Sequence, residues 1–515
     1  MTDAMGTWPA TIPGAAKAAA ERWPDVPGLI VGERTWTFAE VWADARAAAS
    51  AMLASGIRNG DRIAIWAPNT REWILAALGA QAVGATIVPM NTRFKGAEAG
   101  DILRRARVKI LFAPGDFLGT DYAALIAGED LPDLQEVVRL DQAWDSFIAR
   151  GKGTQDPAVD AELAKLTGEH ICDIIFTSGT TGRPKGALTS HRQAVQIFGD
   201  WAVRVDLRAG DRYLIVNPFF HTFGYKAGWA VCFTRGATIV PMPVFEVAET
   251  VRQIEQNRIS FLPGPPTIYQ SLLQELDGGK PRDFSSLRVA VTGAAPVAPA
   301  LVERMRSELG MSNIVNGYGM TECGAISMTC QGDDAETVAN TCGKPLPGIE
   351  VRCVDDDGND LSSGQPGELW IRGHAVMKGY LDDPLATREA IDADGWLHSG
   401  DIGTIDDRGY LKITDRKKDM FISGGFNVYP VEVENLLAAH PAINMAAVVG
   451  VPDERMGEVG RAFVVLRPGS AVTEDELLRW ARSNMANYKA PRSIRIMPDL
   501  PRNAAGKVLK TELRD

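Results

Sequence analysis

The sequence predicts an α/β fold: a large N-terminal domain of parallel, helix-covered sheets, a small β-rich subdomain at its end, and a small α+β C-terminal domain. Three observations predict it. Short apolar runs alternate with helically spaced segments through most of the first 400 residues, the rhythm of strands joined by crossover helices. After about residue 340 the texture changes to short alternating runs with Asp-Gly turns, as antiparallel hairpins require. A charge cluster at 415–419 then precedes about a hundred residues of mixed character, a normal size for a separate domain.

The elements follow in order. Residues 62–66 read as a strand, 72–83 as a helix and 85–89 as the next strand. Runs at 108–112, 171–175, 213–216, 237–240 and 289–292 repeat the theme. In such sheets ligands meet the carboxyl ends of the strands, which is where the turns after 175 and 292 fall. Residues 350–354 and 367–372 read as strands of the small subdomain and 404–413 as another hairpin. Beyond 416, a helix at 431–439, strands at 445–451 and 462–466, and a helix at 474–485 complete the chain. The expected domains are 1–415 and 416–515.

A chain of 515 residues exceeds what one core serves. The formal charge of −11, with no basic stripe to offset it, argues against a nucleic-acid partner. An anionic substrate must therefore meet local cations. Six cysteines without CxxC spacing suit a reducing cytoplasm rather than zinc or disulfides. The N-terminus lacks a signal peptide's basic and apolar blocks. The stretch from Trp73 to Met90 is broken by Gly79, Gln81 and Gly84, so a buried helix running into a strand explains it better than a membrane span. A soluble, cytoplasmic enzyme with no integral membrane segment is expected; a homodimer is one assembly open to it.

After the apolar run at 171–175 come Thr177, Ser178, Gly179, Thr180, Thr181, Gly182 and Lys185, followed by helical spacing at 192–203. Glycines let backbone N–H groups approach closely, hydroxyls donate to phosphate oxygens and a lysine supplies charge, so the loop suits a polyphosphate. A mobile Ser/Thr/Gly surface loop has the same composition; the strand before it and the lysine within it weigh against that. No Gly-Lys-Ser/Thr closes the run, so it is not a Walker A loop.

This run resembles the signature of the adenylate-forming superfamily, which includes acyl-CoA synthetases, adenylation domains and luciferases. Four further segments are similar to that family's motifs: Asn316 to Glu322, Gly395 to Asp401, Asp415 to Asp419 and Pro501 to Lys507. The resemblance implies a mobile C-terminal domain and ATP, Mg²⁺ and CoA as reactants. It implies that the first loop holds the β- and γ-phosphates. Tyr318 would stack on adenine, with Gly293, Ala294, Asn316 and Gly317 shaping the base site. Thr321 would bond the α-phosphate and Glu322 ligate the metal. Asp401 and Arg416 would hold the ribose, Lys418 would mark the hinge, and Lys507 would bridge the acid's carboxylate and the α-phosphate. Taken alone, several of these have blander readings: a tight turn around Tyr318, an Asx-turn at Asp401, a solubilising charge at Lys507.

The segment Phe219 to Gly228 would line the acyl pocket, with His221, Phe223, Gly224 and Lys226 in its wall and Gly319 beside them. His221 is expected to gate the carboxylate end and not to act as an acid or base. Lys226 would meet a polar group of the substrate or snorkel to the surface. An aspartate that would pair an amino acid's ammonium is missing there, which counts against an amino-acid substrate. Gly424 and Gly425 would let the pantetheine arm pass, and Lys489 and Arg492 would meet CoA phosphates. The implied activity is ATP-dependent formation of an acyl-CoA through an acyl-adenylate. The aromatic segment looks most like ligases for the propanoate side chain of partly degraded steroid rings; medium-chain and aryl acids stay open. So do an acyl-AMP ligase loading a separate carrier protein, a luciferase-like oxygenase and a non-catalytic nucleotide sensor. The Pro501 to Lys507 spacing also resembles segments modified by lysine acetyltransferases.

Overall fold

Strands buried on both faces need apolar side chains at every position, and the runs of the first 300 residues meet that demand. Ile63, Ile65, Ile87, Val88, Leu111 and Phe112 are all 0% exposed. They sit in a seven-stranded sheet whose spatial order is Gly379–Tyr380, Lys185–Ser190, Ile171–Thr177, Thr86–Pro89, Arg62–Ile65, Ile110–Ala113 and Glu136–Arg139. From Ile171–Thr177 to Glu136–Arg139 every pairing is parallel. The computed structural model describes residues 8–153, 156–177, 184–279, 281–293, 297–416, 419–423, 426–428, 430–453, 456–485, 487–502 and 508–514.

A nine-stranded sheet runs Lys344–Pro345, Gly324–Met328, Asn313–Met320, Val289–Gly293, Phe261–Pro263, Arg212–Ile215, Thr238–Pro241, Pro27–Val31 and Arg34–Thr37. Its centre is parallel and its two edges close with antiparallel pairs. Helices cover the sheets, and several start with a side chain that satisfies a first-turn N–H. Thr70 caps Arg71–Ala82, and Ser190 forms a capping box with Gln193 at the start of His191–Arg204. The apolar stretch from 73 to 90 is the helix Arg71–Ala82 followed by the strand Thr86–Pro89. No helix among the described residues is long and apolar enough to cross a membrane. All six cysteines are free.

One expectation is corrected. The phosphate-loop sequence does not lead from strand into helix. Lys185–Ser190 is itself a strand, antiparallel to Ile171–Thr177, with Thr177 opposite Lys185. That strand stands between the loop sequence and the helix, whose first-turn donors are spent on Ser190 and Gln193 rather than on a ligand. Likewise Asn316 to Met320 is strand and not a tight turn, because it pairs with Val289–Gly293 on one side and Gly324–Met328 on the other.

Packing divides the chain into two compact units, Met1–Glu350 with Ile371–Leu397, and Val351–Trp370 with His398–Asp515. The first holds both large sheets. The second holds most of a four-stranded sheet, Ile349–Val354, Gly367–Gly373, Leu397–Ile405 and Leu411–Arg416. It also holds a five-stranded sheet built around the long hairpin Ile443–Asp453 and Gly457–Leu466. Helices Pro430–Ala438 and Glu474–Asn484 pack Val433, Leu437, Leu477 and Ala481 onto that sheet's core. The expected 415/416 boundary falls at the end of the four-stranded sheet's last strand, Leu411–Arg416, within the second unit.

Candidate active site

In the first unit the strand pair Asn313–Met320 and Gly324–Met328 carries Thr321, Glu322 and Cys323 at its tip. Glycine is required at 319 by close approach: a Cβ there would lie 2.3 Å from the Gly324 carbonyl oxygen. The turn presents Glu322 toward the strands that flank the phosphate loop. Thr177 Oγ1 lies 3.4 Å from Glu322 Oε1, and the Tyr380 hydroxyl donates to the same oxygen at 3.0 Å. The Lys185 ammonium stands over the Tyr380 ring, 5.2 Å from its centroid. Burial and the Glu322 charge push the Tyr380 phenol up, so it remains a protonated donor.

The geometry thus gathers Thr177, Lys185 and Glu322, three of the residues singled out in the sequence. It adds Tyr380, which no motif flagged. Glu322 and Thr177 offer oxygen ligands there, the hard set that suits a magnesium ion sharing phosphate oxygens and water. Among the described residues no three His, Cys, Asp or Glu side chains gather as a metal cage. Tyr318 lies half-buried on its strand opposite Ser327. Gly293 pairs with Gly317 across the parallel strands. The Asn316 amide donates to the carbonyls of Val338 and Thr341 at 3.1 and 2.9 Å, so its hydrogens tie down a neighbouring helix instead of pointing to a ligand.

The aromatic segment follows the strand Arg212–Ile215. A side chain absent from the sequence reading fixes it: Asn69, 4% exposed, donates to the carbonyls of Ile215 and Asn217 and accepts from Phe219 N–H at 2.8 Å. His221 caps the next turn. Its Nδ1 accepts from Phe223 N–H at 3.2 Å, which places the ring proton on Nε2. His221 is exposed, and desolvation by neighbouring protein lowers its pKa. His221 is therefore a neutral imidazole with an N–H to offer. Gly224 belongs there because a Cβ would fall 2.2 Å from the Pro218 carbonyl oxygen.

Lys226 departs from expectation. It neither snorkels nor offers its ammonium to a pocket. The side chain is 3% exposed and its Nζ lies 2.9 Å from Asp173 Oδ1, with the carboxylate 0% exposed. Nζ also donates to Thr189 Oγ1 at 3.0 Å, and Cys172 Sγ donates to Asp173 Oδ2 at 3.0 Å. A π-helical turn, Tyr225–Ala230, delivers the lysine inward; such turns mark strained or functional positions. Tyr225 in turn accepts from Gln81 Nε2 at 2.6 Å.

In the second unit Asp401, 3% exposed, pairs across the strands with Arg416, so the two ribose candidates sit in register. Ser399 Oγ accepts from Asp401 N–H at 3.0 Å and Glu368 accepts from Gly400 N–H at 3.1 Å, which holds the bend before Asp401. Lys489 is paired with Glu432, which raises its pKa; a CoA phosphate would have to displace that carboxylate. Ser178, Gly179, Thr180, Thr181, Gly182, Ala294, Lys418, Gly424, Gly425 and Lys507 lie outside the described residues.

Known proteins resemble this chain over nearly its whole length. The model of the AMP-binding enzyme family matches residues 16–381, and that of the AMP-binding enzyme C-terminal domain matches 432–507. The chain belongs to the AMP-binding enzyme family. It is similar to a 3-(7a-methyl-1,5-dioxo-octahydro-1H-inden-4-yl)propanoyl:CoA ligase of Mycobacterium tuberculosis, 50% identical over 98% of both chains. It is also similar to the ligase of that name from Rhodococcus jostii, 47% identical over 99% of both. Among solved structures, an anthranilate CoA ligase in complex with anthranoyl-AMP superposes with TM-score 0.86 at 28% identity, covering 98% of this chain and 96% of that one. An o-succinylbenzoate CoA synthetase of Bacillus subtilis in complex with ATP and magnesium ion gives 0.81 at 29%, covering 97% and 99%.

Proposed function

We propose that this protein joins CoA to a fused bicyclic propanoate bearing ring ketones. The enzyme is an ATP-dependent, AMP-forming acid–CoA ligase working through an acyl-adenylate. The observation that carries the choice of acid is 50% identity over 98% of both chains to a ligase named for that acid. The chain's own residues divide the work as follows.

In the first half-reaction a carboxylate oxygen attacks the α-phosphorus of ATP and pyrophosphate leaves. Two anions must meet, so cations have to stand between them. Lys507 bridges the carboxylate and the α-phosphate, and Lys185 with Thr177, Ser178 and Thr180 holds the β- and γ-phosphates. Thr321 bonds the α-phosphate and Tyr318 stacks on the adenine. Asp401, whose two oxygens can each accept, takes the ribose hydroxyls beside Arg416. Magnesium, bound through Glu322, would neutralise developing phosphate charge. His221, neutral with its proton on Nε2, donates to the carboxylate and orients it.

In the second half-reaction the CoA thiolate attacks the acyl carbon and AMP leaves. Residues 416–515, turning about Lys418, would withdraw Lys507 and bring up Gly424 and Gly425, where a pantetheine arm passes close to backbone. Acetylation of Lys507 by a lysine acetyltransferase would erase the bridging charge and silence adenylation alone. The six free cysteines suit a reducing compartment, and we place the reaction in the cytoplasm.

The acid is tested by steady-state kinetics with bicyclic propanoate, medium-chain and aryl acids. The bicyclic acid should exceed the others in kcat/KM by at least about a hundredfold, the scale that pocket fit plus polar recognition supplies. Equal or better turnover of an unbranched or aryl acid would overturn the assignment.

A further inference from the structure

Glu322 and Lys185 are both held by one side chain that the motifs do not include. The segment bearing it is fixed from several directions. Strand Gly379–Tyr380 pairs antiparallel with Lys185–Ser190, Tyr380 opposite Ala187. Lys378 N–H donates to the Leu188 carbonyl at 2.9 Å and Leu381 N–H to that of Gly186 at 2.8 Å. Thr387 Oγ1 accepts from Tyr380 N–H at 2.9 Å, at the start of a helix that Asp383 caps. Met377 N–H donates to the Glu322 carbonyl at 2.7 Å. This short stretch therefore grips the strand Lys185–Ser190 and the turn at Glu322 through its backbone, and the Glu322 carboxylate through the Tyr380 hydroxyl.

We propose that Tyr380 is a positioning residue for adenylation: its hydroxyl aims the Glu322 carboxylate at the metal–nucleotide, and its ring holds the Lys185 ammonium beside it. The proposal rests on the reading of Glu322 as the metal carboxylate and Lys185 as a phosphate cation. A carboxylate at a hairpin tip has free rotors, and a charge-assisted hydrogen bond from a fixed phenol selects one of them. Partners of metal-ligating carboxylates contribute to metal affinity in this way. The other account is a tyrosine that only packs against a sheet edge.

Two substitutions separate these accounts. Tyr380→Phe removes the hydroxyl and keeps the ring under Lys185, whereas Tyr380→Leu removes both. Calorimetric titration with ATP is done in magnesium and again in EDTA, without acid or CoA, alongside thermal unfolding. Tyr380→Phe should weaken binding about tenfold in magnesium, leave binding in EDTA unchanged and leave the unfolding midpoint in place. Tyr380→Leu should weaken binding in both media, since the ammonium loses its platform. Magnesium binding by Tyr380→Phe equal to the parent, or equal losses in both media, would overturn the proposal. Glu322→Gln is the control for the underlying reading. If it binds ATP in magnesium as the parent does, the metal assignment itself fails. If it is impaired while Tyr380→Phe is not, only the tyrosine's role fails.

Discussion

Replacing Lys507 with alanine should lower pyrophosphate exchange by about 10²–10³-fold, the loss typical of removing one preorganised charge from a transition state. Thioester formation from supplied acyl-adenylate and CoA should continue close to the parent rate. The asymmetry follows from the chemistry of the two steps. Adenylation brings a carboxylate onto a polyphosphate and needs a cation between them. Thioester formation attacks a neutral acyl carbon with AMP as leaving group, and a lysine that has been withdrawn contributes nothing to it. Single-turnover assays of the two half-reactions make the comparison. Equal loss in both would show that Lys507 supports the fold or both steps, and would contradict the division of labour.

The second large effect concerns stability. Lys226 and Asp173 are 3% and 0% exposed, so each is met by its partner rather than by bulk water. Lys226→Met alone or Asp173→Leu alone should destabilise the protein by about 3–5 kcal/mol, because each leaves a buried charge without its partner. The double replacement should recover most of that loss, since an apolar pair of similar volume carries no desolvation cost. The neighbouring Cys172 thiol, pushed up by burial and by Asp173, stays protonated and does not rescue the balance. Urea unfolding of the four proteins measures the effect. A double variant as unstable as the two single losses summed would mean that the two charges do not couple, and would contradict the pairing.

The same pair shows where sequence reading stops. Parallel strands and their helices were legible because burial on both faces writes an unbroken apolar run, as at Arg62–Ile65, Thr86–Pro89 and Ile110–Ala113. The site loops were legible as motifs because glycines, hydroxyls and a lysine sit adjacent in the chain. Strand Lys185–Ser190 was not, since its polar residues continue the composition of the loop before it. Lys226 with Asp173, Asn69 with Phe219, and Tyr380 with Glu322 meet across 53, 150 and 58 residues of sequence. No local period encodes such meetings; they exist only once the sheets have formed. Lys226 in particular looks like any lysine between aromatics until the π-helical turn points it inward.

The account is tested most directly by counting products. The purified protein is given ATP, Mg²⁺, CoA and the bicyclic propanoate, and nucleotides and acyl products are quantified by mass spectrometry. The account predicts AMP, pyrophosphate and the CoA thioester in equal amounts. ADP and phosphate in place of AMP and pyrophosphate, or acyl-adenylate accumulating without any thioester, would contradict it.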